Sequence, residues 1–335
     1  MTAASAMVEV RGVSKRFASR ADLADRFARL IRPPANDGSV RALDDVSLQV
    51  REREVVGLVG ESGCGKSTLG RIVSRILEPS AGVVLWQGKP YRELDGAASR
   101  IDRLAVQMIF QDPYASLNPR MRVSDIVGEA PVVHGIVASR ERDGYVAEML
   151  SRVGLDRSAM RRFPHQFSGG QRSRIGIARA LAVRPRFLVC DEAVAALDVS
   201  IQAQVLNLFI RLREELALTY LFISHDLGVV RHISDRVFVM YLGRIVEMGP
   251  TAELYAKPNH PYTSALIAEV PRIDARHRTY VPIRGEIPSP LAPPAGCHFH
   301  PRCPHAFARC REEAPRLREI APGRHSACHL NETPT

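Results

Sequence analysis

Gly60 to Thr68 read GESGCGKST, a match to G-x-x-x-x-G-K-[ST]. Glycines in such a turn let successive backbone N–H groups point inward at a polyanion, and a helix starting near Lys66 adds the positive end of its dipole. Lys66 is spaced to reach β and γ phosphates and Ser67 to ligate Mg²⁺, with Gly60, Glu61, Ser62, Gly63, Cys64, Gly65 and Thr68 completing a nucleotide-triphosphate loop. A second signal is RFLVCDE (186–192), where an apolar run ends in Asp191 and Glu192. One carboxylate at a strand end can hold a hydrated metal, and the next can polarise a water for in-line attack on a γ-phosphate. An acidic pair alone is also common at surface turns, so its meaning depends on its company. In FSGGQRSR, Ser168, Gly169, Gly170 and Gln171 open an amphipathic helix. A hydroxyl, two glycines and a helix start form another phosphate-facing surface. One nucleotide does not need two such surfaces, so the second serves a nucleotide held by a partner.

These residues need elements to position them. Apolar runs at 54–60, 104–110, 186–191, 219–224 and 236–241 alternate with amphipathic stretches such as GQRSRIGIARALAV and SIQAQVLNLFIRLREEL. Such alternation predicts an α/β domain with a largely parallel sheet. Residues 18–40 interrupt an early strand region with a short helical pattern and a Pro/Gly-rich exit. From Pro258 onward Pro, His and Cys become dense, which predicts a boundary and a small loop-rich module. No internal repeat is visible.

The chain has 335 residues, 45% of them hydrophobic and 24% charged, ordinary values for a soluble globular protein. No apolar run approaches the length of a membrane helix, and MTAASAMVEV lacks the basic and apolar regions of an export signal. A cytoplasmic setting is expected. The net charge of +10 invites a nucleic-acid reading. The basic residues are nearly all Arg, the lysines being only 15, 66, 89 and 257, and they are dispersed, as on a solvated surface.

Of the six cysteines, Cys64 occupies a variable slot of the phosphate loop and Cys190 an apolar strand, where each reads as a small buried hydrophobe. Cys297, Cys303, Cys310 and Cys328 cluster in the tail. A cytosolic setting argues against a disulfide framework. Four thiolates can instead staple a small module around one metal, and both zinc and an iron–sulfur cluster accept four cysteines. The spacing C-x5-C-x6-C-x17-C contains no C-x2-C knuckle of the zinc-finger kind. His298, His300, His305, His325 and His329 are possible substitute ligands, and a tail without metal remains a third alternative.

Taken together with Gln111 in IFQDPYASLNPR and His225 in FISHDLGVV, the motif set resembles the ATP-binding cassette (ABC) family. The resemblance implies a P-loop NTPase nucleotide-binding domain, a RecA-like core plus a helical signature subdomain, with a small cysteine-rich C-terminal module. It implies Walker A at 60–68, a Q-loop at Gln111, a signature at Ser168–Gln171, Walker B at 187–191, a D-loop over Ala195–Asp198 and a switch histidine at His225. Two cassettes are then expected to close head to tail around two ATP molecules. Glu192 is the implied general base, His225 the γ-phosphate contact, and Ser67, Gln111 and Asp191 the Mg²⁺ ligands. Phe17 matches the adenine-stacking aromatic, with an ordinary core Phe as the alternative.

FQDPYASLNPR, DVSIQAQVLNL, SHDLGVVRHISDRV, HPYTSALIAEVP and GEIPSPLAPPAGC are similar to segments of the ATPase subunits of oligopeptide and dipeptide importers. GESGCGKST and IFQDPYASLNP point to the F-type member of a D-plus-F pair. This implies a cassette over 1–257 (helical subdomain about 112–182) and an importer-type extension over 258–335. It also implies a D-type ATPase partner, two transmembrane permeases, an extracytoplasmic peptide-binding protein and a peripheral place on the cytoplasmic face of the inner membrane. The same resemblance assigns a [4Fe-4S] cluster to the four tail cysteines. No nucleic-acid partner is expected.

Some positions depart from the family pattern. Ala193 replaces a proline and Ala195 the serine of the D-loop, which is expected to loosen communication between paired sites. Ser173 stands where glutamine is common, and Arg53 where a glycine usually turns the chain. A left-handed Arg53 costs about 1–2 kcal/mol, and another turn shape is the alternative. Two rival functions are a soluble ABC ATPase of nucleic-acid repair or translation with a zinc module, and a cassette that binds ATP but hydrolyses it weakly.

Overall fold

The structure, a computed structural model, describes residues 6–18, 39–94, 99–269, 283 and 285–332. The helical pattern expected within 18–40 falls on residues 19–38, outside the described residues. The described strands are β1 (Ala6–Ala18), β2 (Ser39–Arg51), β3 (Val55–Val59), β4 (Ala81–Trp86), β5 (Lys89–Pro90), β6 (Val106–Ile109), β7 (Phe187–Asp191), β8 (Thr219–Ile223), β9 (Arg236–Tyr241), β10 (Arg244–Pro250), β11 (Arg318–Ala321) and β12 (Arg324–Ser326). The helices that bear on the site are α1 (Lys66–Val73), α2 (Val123–Val133), α3 (Arg142–Arg152), α4 (Gly169–Leu181), α5 (Val199–Leu216), α6 (Leu227–Ile233) and α7 (Pro261–Glu269). Among the described residues no helix is long and apolar enough to cross a membrane.

The chain forms two compact units. Of the described residues, the first comprises 6–8, 50–57, 86–94 and 99–234, the second 9–18, 39–49, 58–85, 235–269, 283 and 285–332.

In the first unit the strands run in the order β3-β8-β7-β6. β6, β7 and β8 are parallel and in register, Val106 opposite Phe187 and Phe187 opposite Thr219. Every residue of β7 and β8 is buried, which is why both read as continuous apolar runs rather than alternating ones. α5 covers this sheet with Val205, Leu208, Phe209 and Leu212, a helical i, i+3, i+4, i+7 stripe. The Phe209 ring meets Tyr220 and Phe222 edge-on, both at 5.8 Å. Tyr220 is fully buried, and its hydroxyl donates to the Phe209 carbonyl at 3.0 Å. Beyond β6, α2, α3 and α4 pack on one another as a helical cluster.

The left-handed alternative at Arg53 is the one adopted, with φ +60°. Two side chains hold its backbone there. Arg53 N–H donates to Thr219 Oγ1 at 2.8 Å, and its carbonyl accepts from Arg213 Nε at 3.1 Å and Nη2 at 2.8 Å.

In the second unit β2, β1 and β4 lie side by side, and a separate antiparallel set runs in the order β11-β12-β10-β9. The tail does not form the separate cysteine-rich module expected from its composition. β12 pairs with β10, Glu247 opposite Ser326 and Met248 opposite His325, so the tail adds strands to the β9–β10 pair. Phe299 of the tail packs edge-on against Tyr241 at 5.3 Å and lies 5.3 Å from Tyr262, giving this region an aromatic core.

The iron–sulfur assignment is likewise corrected. Among the described residues no group of three or more His, Cys, Asp or Glu is disposed to hold a metal ion. Cys297, Cys303, Cys310 and Cys328 are free thiols. Burial raises the pKa of Cys297 and Cys303 and pushes that of Cys328 up to about 11. Backbone contacts tie the segment instead, Cys297 N–H donating to the Cys310 carbonyl at 2.9 Å. Strand pairing and aromatic packing thus replace the metal staple inferred from cysteine count.

Candidate active site

In-register parallel strands end together, and the first unit gathers its reactive side chains along that carboxyl edge. Gln111 follows β6, Asp191 ends β7 with Glu192 next, and His225 follows β8. Glu192 N–H donates to the Ile223 carbonyl at 3.0 Å, extending the β7–β8 pairing by one residue while its φ of +48° turns the backbone. A left-handed non-glycine residue costs about 1–2 kcal/mol, and such strain is found at sites where geometry matters. The turn brings three predicted residues together. Gln111 Nε2 donates to Glu192 Oε2 at 2.7 Å, and His225 Nδ1 lies 3.3 Å from Glu192 Oε1. The Glu192 side chain is only 11% exposed, while that of His225 is 51% exposed and free to meet a ligand. Asp191 is buried at 2% exposure. A carboxylate with a side-chain amide is part of the hard-oxygen donor set that suits Mg²⁺.

Ser168 caps α4. Gln171 N–H donates to Ser168 Oγ at 3.4 Å and Ser168 N–H to Gln171 Oε1 at 3.1 Å, a reciprocal capping box. A Cβ on Gly170 would come within 2.4 Å of Ile201 Cγ2, so close packing on α5 requires glycine there. Ser173 is buried and its hydroxyl donates to the Ala193 carbonyl at 3.4 Å, tying α4 to the segment after Glu192. Ala195 and Asp198 are exposed, and Val199 is 83% exposed.

The phosphate loop belongs to the second unit. β3 leads into it and α1 leaves it, with Gly65 at the N-cap position at φ +110° and no side-chain cap. A Cβ there would sit 2.3 Å from the Ala42 carbonyl oxygen, so only glycine lets the loop close this tightly. Gly243 N–H donates to the Cys64 carbonyl at 2.8 Å, and Cys64 is buried as expected. Lys66 is 4% exposed, its Nζ donating to the carbonyls of Gly60 at 2.8 Å and Glu61 at 3.0 Å. An uncapped helix start, a tight glycine turn and a buried lysine fit a polyphosphate. Phe17 is 40% exposed with Lys15 Nζ 5.4 Å from its ring centre, a ring on the surface rather than in the core. Cys190 is fully buried in β7, the inert small hydrophobe its strand suggests.

Sequence reasoning missed two residues that touch this loop. Tyr262 Oη accepts from Glu61 N–H at 2.9 Å, and Arg302 holds the Glu61 carboxylate through both guanidinium nitrogens at 2.7 and 2.8 Å. Their separation in sequence leaves no local signal.

Residues 43–195 match the family described as ABC transporter, and residues 246–310 match the oligopeptide/dipeptide transporter, C-terminal region. The oligopeptide transport ATP-binding protein AppF of Bacillus subtilis is 50% identical over 98% of this chain and 99% of its own length. A probable peptide ABC transporter ATP-binding protein of Sinorhizobium fredii, y4tS, is 51% identical over 87% of this chain and 83% of its own length. Among solved structures, the dimeric ABC transporter cassette MJ0796 is similar with TM-score 0.62 and 26% identity, over 73% of this chain and 99% of that one. CbiO1 of Clostridium perfringens, part of the transporter complex cbiONQ, is similar with TM-score 0.61 and 27% identity, over 76% of this chain and 92% of that one. With a strand-edge carboxylate, a phosphate loop and relatives at this identity over nearly its whole length, this chain belongs to the ABC transporter ATPases that carry the oligopeptide/dipeptide transporter C-terminal region.

Proposed function

We propose that this chain is the ATP-hydrolysing subunit that energises a peptide importer, and the observation that carries the reading is the Glu192 carboxylate held between Gln111 and His225. Glu192 takes a proton from the attacking water, an orientation set by the Gln111 amide. His225, half exposed beside it, contacts the γ-phosphate. Lys66 and the loop N–H groups bind the β and γ phosphates, and Phe17 stacks on the adenine. Ser67, Gln111 and Asp191 would hold Mg²⁺, which would neutralise charge on the β- and γ-phosphate oxygens. Ser168–Gln171 face the ATP of a second cassette. Glu61, Ser62, Gly63, Cys64, Gly65 and Thr68 line the nucleotide's phosphates, and Asp198 of the D-loop faces the partner cassette.

The peptide cargo follows the named function of AppF and the C-terminal match. The cassette runs over 1–257, with its helical subdomain about 112–182, and the importer-type extension over 258–335. The second cassette is a D-type paralogue. Two permeases and an extracytoplasmic peptide-binding protein complete the assembly, with this subunit peripheral on the cytoplasmic face of the inner membrane. The dimeric form of MJ0796 and its post-hydrolysis complex with ADP and Pi favour paired cassettes acting by hydrolysis. Because Ala195 is exposed and lacks a hydroxyl, the two ATP sites of the pair are unequal.

The test is ATP hydrolysis by the complex purified from native membranes and reconstituted in vesicles. Hydrolysis is expected to rise when peptide-loaded binding protein is added. A chain that purifies with nucleic-acid or ribosomal partners and without permeases contradicts the proposal.

A further inference from the structure

The tail reaches the phosphate loop through an ion pair and a hydrogen bond at Glu61. Arg302 Nη1 and Nη2 donate to Glu61 Oε2 and Oε1 at 2.7 and 2.8 Å, a bidentate fork–fork pair. The Arg302 side chain is 5% exposed and that of Glu61 20%, so solvent competes little for it. The guanidinium is aimed by its surroundings. Its Nη1 also lies 3.4 Å from Tyr241 Oη, and Arg302 N–H donates to the Phe299 carbonyl at 3.0 Å, closing the turn that carries the side chain. Phe299 is in turn packed between Tyr241 and Tyr262, and Tyr262 Oη accepts from Glu61 N–H.

Glu61 is therefore fixed at two points by tail-side groups, its carboxylate by Arg302 and its N–H by Tyr262. Its third polar group faces the loop itself, since the Glu61 carbonyl accepts from Lys66 Nζ at 3.0 Å. Rotation of the peptide after Glu61 would move the carbonyl that holds the lysine and the N–H groups that follow it. We propose that Arg302 is a positioning residue for nucleotide binding, through which the C-terminal extension sets the conformation of the phosphate loop at Glu61. This rests on assigning residues 60–68 to ATP.

The experiment is MgATP binding to the full chain by titration calorimetry. Arg302→Gln is expected to weaken binding about five- to twenty-fold, as is Glu61→Gln. The double variant is expected to be no weaker than the worse single variant, because the two side chains act as one unit. Arg302→Lys, which keeps the charge and loses the fork, is expected to bind with intermediate affinity. Melting is followed in parallel: a purely structural role would lower the melting temperature and leave affinity within twofold. If Arg302→Gln does not fold, Glu61→Gln and Arg302→Lys carry the test. Affinities within twofold of the parent for these variants, or additive losses in the double variant, would overturn the proposal. Lys66→Ala separates the two claims. If it abolishes MgATP binding while the Arg302 and Glu61 variants bind normally, the tail's role fails alone; if it binds like the parent, the nucleotide assignment fails and the proposal with it.

Discussion

Gln111 Nε2 donates to Glu192 Oε2 across 2.7 Å, although 81 residues separate them in sequence. Each sits just past the end of a parallel strand, so sheet register brings the amide to the carboxylate. Gln111→Ala removes the donor and leaves the Glu192 carboxylate held, among the described residues, by His225 alone. Loss of one hydrogen bond to a charged group corresponds to roughly a tenfold drop in kcat or more. Steady-state ATP hydrolysis by the assembled importer is expected to show that drop.

Arg53→Gly is expected to stabilise the chain. The contacts at this turn use the Arg53 backbone N–H and carbonyl, which glycine retains. Relief of a left-handed side chain gains about 1–2 kcal/mol, and the looser unfolded chain takes back about 0.5–1 kcal/mol. Urea unfolding should give a net gain of about 0.5–1 kcal/mol, while Arg53→Val, a β-branched residue at positive φ, should lose stability.

Tyr220→Phe removes the buried hydroxyl that serves the Phe209 carbonyl. The ring packing of Phe209, Tyr220 and Phe222 survives, so the cost is that of one buried hydrogen bond, about 1–2 kcal/mol. Guanidinium unfolding of the variant and parent checks it.

His260 gives the second unit a defined response to acid. It is fully buried, its Nδ1 accepting from Tyr262 N–H at 3.1 Å, its backbone N–H donating to Glu247 Oε2 at 2.8 Å and its ring 5.8 Å from Phe299. Burial lowers its pKa to about 4 from the usual 6.5. Between those values the unfolded chain binds the extra proton, so stability is complete above about pH 6.5 and falls as pH drops toward 4. Relative to pH 7.5, the parent should lose about 2 kcal/mol more than His260→Asn at pH 5. Urea unfolding at the two pH values measures the difference.

Much of the site was legible because its signals are local. The strands at 187–191 and 219–223 are unbroken apolar runs, and the phosphate loop keeps its glycines and lysine within nine residues. Arg53 occupies a glycine slot, and the backbone there is left-handed all the same. The tail was misread because composition carries no pairing information. Cysteine density suggested a metal staple, whereas the β10–β12 ladder and the Tyr241–Phe299 contact hold the segment. Arg302 and Glu61 lie 241 residues apart, and no spacing rule connects them before the chain is folded.

The central claim is that Glu192 is the general base of ATP hydrolysis. Its most direct test is single-site replacement, Glu192→Gln, with ATP turnover and retained nucleotide both measured in the assembled importer. The side chain keeps its shape and loses its basicity, so turnover should fall by about 10²-fold or more while ATP stays bound unhydrolysed. Hydrolysis at the parent's rate would contradict the assignment.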